Sequence, residues 1–267
     1  LHHEQHEKPE LTIFTNFVFA NLASARGSVV IPSAWKAQDL RWASELHGDL
    51  APETGTMGPA FLRRLILESG FQGLRSLHVG GALTDTAIFE SAFGRFRETE
   101  FLHVYGSSEA EPVAVMDARE AVKLSQGAGR FQTLALGRPI EQIEIKTELS
   151  TTWVKGPHVC PMYIGKDENV AEENRLNKRL DSDGSIWHAM GDRVSVKNGV
   201  LWYGGRSSQS ETDFEREQQL YSALDTSKLF LHRERDSSLH LYCEGAKEKL
   251  SRIRSETQDW NEKISIY

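Results

Sequence analysis

The chain has 267 residues, 31 of them basic and 38 acidic, for a formal net charge of −7. That length supports a sizeable core in one large domain, alone or with a smaller companion; 39% hydrophobic residues exclude pervasive disorder, and the acidic balance argues against nonspecific nucleic-acid binding. No apolar run is long enough to span a bilayer, the polar start LHHEQHEKPE does not read as a signal peptide, and the two cysteines, Cys160 and Cys243, form neither a disulfide framework nor a metal motif, so a cytoplasmic location is expected.

His2, His3 and His6 crowd the polar terminus and read as a frayed end rather than a metal site. Residues 12–27 then read as a helix ending near Gly27, followed by a buried strand at Ser28–Ile31 that Pro32 closes. Ala60–Ser69 is apolar on one helical face, with Gly70 as a C-cap. Leu74–Val79 is a short strand running into Gly80 and Gly81. Thr86–Phe96 reads as a helix, and Glu100–Tyr105 as a strand ending at Gly106. This alternation predicts an α/β sheet whose loops sit at strand ends, where such sheets hold ligands.

The texture then changes. Gln142–Lys146 and Thr152–Lys155 alternate like antiparallel strands. Asp167–Lys178 is a solvated helix or loop. Asn198-Gly199 between two apolar stretches predicts a hairpin across Ser195–Gly205. A linker-like run after Arg206 leads to a helix at Phe214–Leu224. Strands at Leu229–His232 and Ser238–Cys243 follow, and then a charged helix from Ala246. The expected architecture is α/β: a sheet-and-helix large subdomain, a β-rich subdomain, and a small, truncated α+β C-terminal domain. The boundary falls between residues 1–206 and 207–267.

Three glycine-bearing clusters can carry chemistry. Gly80-Gly81-Ala82 lets a backbone approach a flat or anionic ligand; the plain structural alternative is a tight strand-to-helix turn. Tyr105-Gly106-Ser107-Ser108-Glu109 offers a ring, hydroxyls that donate to phosphate, and a carboxylate able to hold Mg²⁺. Its alternative is a turn with a Ser N-cap opening a helix. In Trp187-His188-Ala189-Met190-Gly191-Asp192, with Arg206 beyond the hairpin, the aspartate can accept from two vicinal ribose hydroxyls. Its alternative is a turn aspartate and a surface arginine. His103 reads as a strand residue near the site. Nothing in the sequence pairs His188 with a nucleophile.

In this order the clusters resemble the AMP-dependent synthetase/ligase superfamily, the adenylate-forming, acyl-CoA synthetase-like enzymes. The residues that carry the likeness are GGAL, YGSSE, WHAMGD and YGGR, spread across Gly80–Arg206, with LGRPIEQIEI and VKGPHVCPMYIG between them. YGSSEAEPVAV and WHAMGD are similar to the fatty-acid ligase-like branch that includes β-lactone synthetases. The resemblance implies ATP-dependent activation of a carboxylic (fatty) acid to an acyl-adenylate, with transfer to CoA or another acceptor. It implies Gly80, Gly81 and Ala82 lining adenine, and Tyr105, with Gly106, stacking on it. Ser108 would touch the α-phosphate and act with Glu109 in catalysis. Glu109 would hold Mg²⁺, and Asp192 and Arg206 would hold the ribose. The implied partners are a small carboxylic acid and a nucleotide. Phe14, Phe17 and Phe61 are candidates for the acid pocket.

The sequence departs from the family in two places. The Ser/Thr/Gly-rich phosphate loop ending in Pro-Lys is not found upstream of Gly80: Thr54–Pro59 mimics it without the lysine, so the chain reads as starting downstream of that loop. Lys247, Lys249 and Lys263 do not fit the family's late catalytic lysine. A non-catalytic nucleotide- or acyl-binding remnant is therefore the main alternative, and an unrelated sugar-nucleotide enzyme a third.

Overall fold

The computed structural model describes residues 8–31, 37–68, 70–126, 134–224, 229–234, 237–243, 245–260 and 262–267; Pro32 and Ser69, given roles at element ends above, lie outside them. Nine strands form the main sheet, in the order β12-β13-β7-β6-β5-β4-β3-β1-β2. Its first half is parallel: β1 (Glu10–Thr12), β2 (Ser28–Val30), β3 (Thr54–Met57), β4 (Ser76–Val79) and β5 (Glu100–Ser107). Helices α1 (Thr15–Ala23), α2 (Ala37–Ser44), α3 (Pro59–Glu68) and α4 (Thr86–Arg95) connect them. From β5 onward the sheet turns antiparallel through β6 (Ala110–Asp117), β7 (Ala135–Pro139), β13 (Val200–Arg206) and β12 (Asp192–Lys197). Helix α5 (Ala118–Ser125) leaves β6.

Local chemistry explains the element starts. Pro59 opens α3, where its fixed φ suits the first turn and its missing N–H costs nothing. Asp85 caps α4, accepting from the Ile88 amide at 2.8 Å. Asn198 (φ 52°) and Gly199 (φ 74°) make the two-residue turn joining β12 to β13, as their sequence predicts. One apolar cluster, including Leu11, Met57, Phe61, Leu77, Phe89 and Phe101, packs α2–α5 onto the parallel half. A second, with Tyr105, Val113, Leu136, Val154, Met190 and Leu201, lies where the antiparallel half meets the next sheet.

That second sheet has four strands, β10-β11-β9-β8: β8 (Glu144–Glu148), β9 (Thr151–Lys155), β10 (Lys178–Leu180) and β11 (Ile186–Ala189), all antiparallel. Helix α6 (Glu168–Asn177) precedes β10, so the polar stretch is a helix. The third sheet, β14 (Leu229–Arg233), β15 (Leu239–Cys243) and β16 (Ile264–Ile266), packs with α7 (Glu211–Leu224) and α8 (Ala246–Thr257). Its own apolar cluster of Leu220, Leu231, Leu241, Ile253 and Trp260 contains no residue from the first 206.

Three readings need correction. The helix read over 12–27 is shorter, α1 at Thr15–Ala23, and Thr12 is the last residue of strand β1. Thr12 hydrogen-bonds the Phe14 amide through its hydroxyl and begins the turn between them. Thr54–Met57, the lysine-less mimic of the phosphate loop, is an interior strand leading into α3, its small residues fitting between β1 and β4. YGSSE does not open a helix: it is the tip of the β5–β6 hairpin. Helix α7 starts at Glu211, before Phe214, because Ser210 caps it by accepting from the Asp213 amide at 3.0 Å.

Candidate functional site

The β12–β13 hairpin sets Asp192 opposite Arg206 in cross-strand register. The Arg206 guanidinium donates to Asp192 Oδ1 at 2.8 Å. From β5, the Tyr105 hydroxyl donates to the other oxygen, Oδ2, at 3.0 Å. Asp192 is buried, at 7% exposure, so it is not the surface turn aspartate of the plain alternative. Burial raises its carboxyl above the ordinary 3.8, and Arg206 and Tyr105 oppose that rise. Burial, then the neighbouring Asp192 charge, pushes the Tyr105 phenol well above its usual value, so it stays a donor. A carboxylate offers about four lone-pair sites and two are used here. The others are left for further donors.

Glu109 stands at the hairpin tip beside the second sheet. The Tyr163 hydroxyl donates to its Oε1 at 2.9 Å, and His188 Nε2 lies 3.9 Å from its Oε2. Burial works to raise this carboxyl, but hydrogen bonds from Ser107 and Tyr163 outweigh it and hold the group below its ordinary value. The Cys160 amide donates to the Glu109 carbonyl at 2.7 Å. Lys178 donates to the Cys160 carbonyl at 2.6 Å and lies over the Tyr163 ring. Ser108 is exposed at the tip. The segment from His188 to Asp192 thus serves both carboxylates, with Ser107 Oγ 3.9 Å from Met190 Sδ between them.

The glycine turn has a structural reason of its own. A Cβ at Gly80 would meet the Val104 carbonyl at 2.4 Å, so only glycine permits β5 to approach so closely. Gly81 has φ +76° and packs against Phe14. The bland reading therefore accounts for both glycines, while Gly81 and Ala82 remain exposed where a flat ligand can approach. Phe14 and Phe17 pair beside this turn with centroids 6.2 Å apart, but Phe61 belongs to the core cluster and is corrected from pocket to core. His103 is buried: its ring pairs with the Ala135 carbonyl at 3.0 Å and meets Phe89 edge-on. Burial lowers its pKa to about 4, making it a neutral packing residue.

Sequence reasoning missed Tyr163 and Lys178. The one available signal was the MYIG stretch, whose tyrosine has no visible partner until the second sheet folds onto the hairpin tip. The structure brings His188 Nε2 to 3.9 Å from Glu109 Oε2, an approach the sequence did not show. As a cation site, Glu109 offers a hard, ionised oxygen donor, and among the described residues no group of three or more His, Cys, Asp or Glu side chains could hold a metal. One carboxylate completed by phosphate and water is how Mg²⁺ is ordinarily bound, so the donor set fits. No helix among the described residues is long and apolar enough to cross a membrane. Among the described residues, Cys160 and Cys243 are not joined in a disulfide.

No protein-family model matches the sequence, and no curated protein matches it significantly. The fold has relatives among solved structures. The O-succinylbenzoate CoA synthetase of Bacillus subtilis in complex with AMP is 15% identical, covering 98% of this chain and 57% of that one, with a TM-score of 0.66. The same enzyme with its acyl-adenylate intermediate gives a TM-score of 0.64 at the same identity and coverage. The amide bond synthetase McbA from Marinactinospora thermotolerans is 17% identical, covering 97% of this chain and 58% of that one, with a TM-score of 0.63. The fold is therefore the adenylate-forming one, and the chain spans little more than half the length of these relatives.

Proposed function

We propose that this chain is a member of the AMP-forming acid–ligase superfamily and carries its adenosine half-site. The observation that carries the reading is the Asp192–Arg206–Tyr105 constellation: a buried carboxylate at a strand end with lone pairs to spare, in a fold whose solved relatives hold AMP or an acyl-adenylate. Asp192 accepts the ribose hydroxyls and Arg206 assists. Gly80, Gly81 and Ala82 form the floor for adenine, with Tyr105 and Gly106 beside it, and Ser108 donates to the α-phosphate. Glu109 would hold Mg²⁺, and the chemistry such an ion would supply is neutralisation of phosphate charge. In this reading the reaction is activation of a carboxylic acid, with CoA or another nucleophile as acceptor, and residues 207–267 are a small second domain. Titration of AMP into the wild type and Asp192→Ala tests it: equal affinities would defeat the ribose assignment.

One observation favours a second reading, binding without turnover by this chain alone. Thr54–Met57, the nearest approach to a phosphate loop, is an interior strand; a Cβ at Gly55 would already press on Leu77, Met57 and the Leu11 carbonyl. It cannot wrap a triphosphate. Pyrophosphate release over a panel of carboxylic acids separates the two readings: ATP-dependent turnover supports the ligase, and AMP binding without turnover supports the binder.

A further inference from the structure

We propose that Tyr163 is a positioning residue that aims the Glu109 carboxylate at a cation, and that Asn174 holds Tyr163 in place for that task. The inference rests on Glu109 being the cation ligand and adds what orients it. One short segment grips Glu109 at both ends. The Cys160 amide donates to its carbonyl at 2.7 Å, and the Tyr163 hydroxyl donates to its Oε1 at 2.9 Å. Ser107 also hydrogen-bonds the carboxylate. But Ser107 belongs to the same hairpin tip as Glu109, so it cannot fix that tip against the second sheet. Tyr163 can, because it arrives from 54 positions away in the chain.

The gripping segment is itself held. Asn174, on α6, accepts from the Tyr163 backbone N–H through Oδ1 at 2.8 Å and donates to the Tyr163 carbonyl through Nδ2 at 2.9 Å. One side chain thus satisfies both backbone groups of a residue that lies in no helix or strand. Lys178, at the start of β10, donates to the Cys160 carbonyl at 2.6 Å and stands over the Tyr163 ring, 4.9 Å from its centroid. The His188 ring meets the Tyr163 ring edge-on, with centroids 6.5 Å apart. Backbone and ring are fixed from three sides, and the hydroxyl is left pointing at Oε1. A glutamate side chain that must be frozen when its ligand arrives loses affinity to conformational entropy. A hydrogen bond already in place removes part of that cost, and outer partners of this kind typically carry about ten- to a hundredfold of metal affinity.

Calorimetric titration of ATP into the full chain over a range of Mg²⁺ concentrations provides the test, with AMP titrated without metal as the control. Tyr163→Phe keeps the ring and its packing and removes only the donor. It should raise the Mg²⁺ concentration needed for half-maximal ATP binding by about tenfold or more, while metal-free AMP affinity stays at the wild-type value. Asn174→Ala should move the Mg²⁺ midpoint in the same direction by a smaller factor; a wild-type midpoint there overturns the Asn174 half of the proposal. A merely structural Tyr163 would weaken AMP and Mg²⁺-dependent binding together, so equal losses in Tyr163→Phe overturn it. An unchanged midpoint in Tyr163→Phe, where Glu109→Gln abolishes the Mg²⁺ response, overturns the positioning role and leaves Glu109 as the ligand. A Mg²⁺ response absent from the wild type, or unchanged in Glu109→Gln, overturns the ligand reading and this proposal with it.

Discussion

Asp192 and Glu109 are both carboxylates at strand ends of one sheet, both served by the segment from His188 to Asp192, yet their surroundings pull them in opposite directions. Asp192 sits under the second apolar cluster; loss of hydration dominates, and its carboxyl is raised despite Arg206 and Tyr105. Glu109 stands at a half-exposed hairpin tip, where donated hydrogen bonds outweigh burial and its carboxyl is lowered. A buried carboxylate with two fixed donors is a rigid acceptor, suited to neutral hydroxyls. A more exposed and firmly ionised one is suited to a cation. Folding thus gives two similar side chains opposite electrostatic surroundings.

The sharpest way to break this comparison is Asp192→Ala. It should weaken AMP binding by about 1.5–3 kcal/mol, roughly ten- to 150-fold, while the cation response persists; calorimetric titration with and without Mg²⁺ reads both. Glu109→Gln should do the reverse: AMP affinity without metal stays near wild type, and the Mg²⁺ dependence of ATP binding disappears, because an amide oxygen is a poor partner for a hard dication. An unchanged Mg²⁺ response would reduce Glu109 to a turn residue. Tyr105→Phe removes one donor from Asp192 and should cost about 1 kcal/mol of AMP affinity, roughly fivefold. A variant that binds AMP as tightly as wild type would mean that Arg206 alone orients the carboxylate.

The same comparison can be sharpened through the acid dependence of stability. The folded pKa of Asp192 is raised, so above 3.8 the native state holds the proton longer than the unfolded chain, and stability falls as pH rises through that window. Glu109 is lowered, so its contribution is present above 4.5 and is lost as pH falls through the folded value. Urea midpoints between about pH 3.5 and 5.5 should therefore respond oppositely to two isosteric changes. Asp192→Asn should make the rise of stability with pH steeper, and Glu109→Gln should make it shallower. Shifts of the same sign would show that the two environments do not differ as described. A larger slope comes from His103: its folded pKa of about 4 lies below the ordinary 6.5. Stability should be lost as pH falls between those values, and His103→Phe should flatten that limb.

Much of the frame was legible from local signals. Gly80 and Gly81 after a strand, Asn198-Gly199 between apolar runs, the helix from Thr86 and the antiparallel character after residue 140 all reappear, because turn chemistry and periodicity act over a few residues. Strand β1 was hidden because three residues carry no period, and β3 because Thr-Gly-Thr-Met is a loop composition made into a strand by its neighbours. The hairpin nature of YGSSE was hidden for the same reason: only pairing with β6 distinguishes it from a helix start.

By itself the sequence determined the alternation of elements, the turns, and the set of residue types able to handle a nucleotide, since each depends on chemistry written within a single segment. Which groups meet was a decision of the tertiary structure. Tyr105 reaches Asp192 across 87 positions, and Glu109 reaches Tyr163 across 54, because the antiparallel half of the large sheet brings β5 and β12 to one rim while the second sheet folds against the hairpin tip. Hydration is lost only at that stage, so the opposite pull on the two carboxylates exists only in the folded chain.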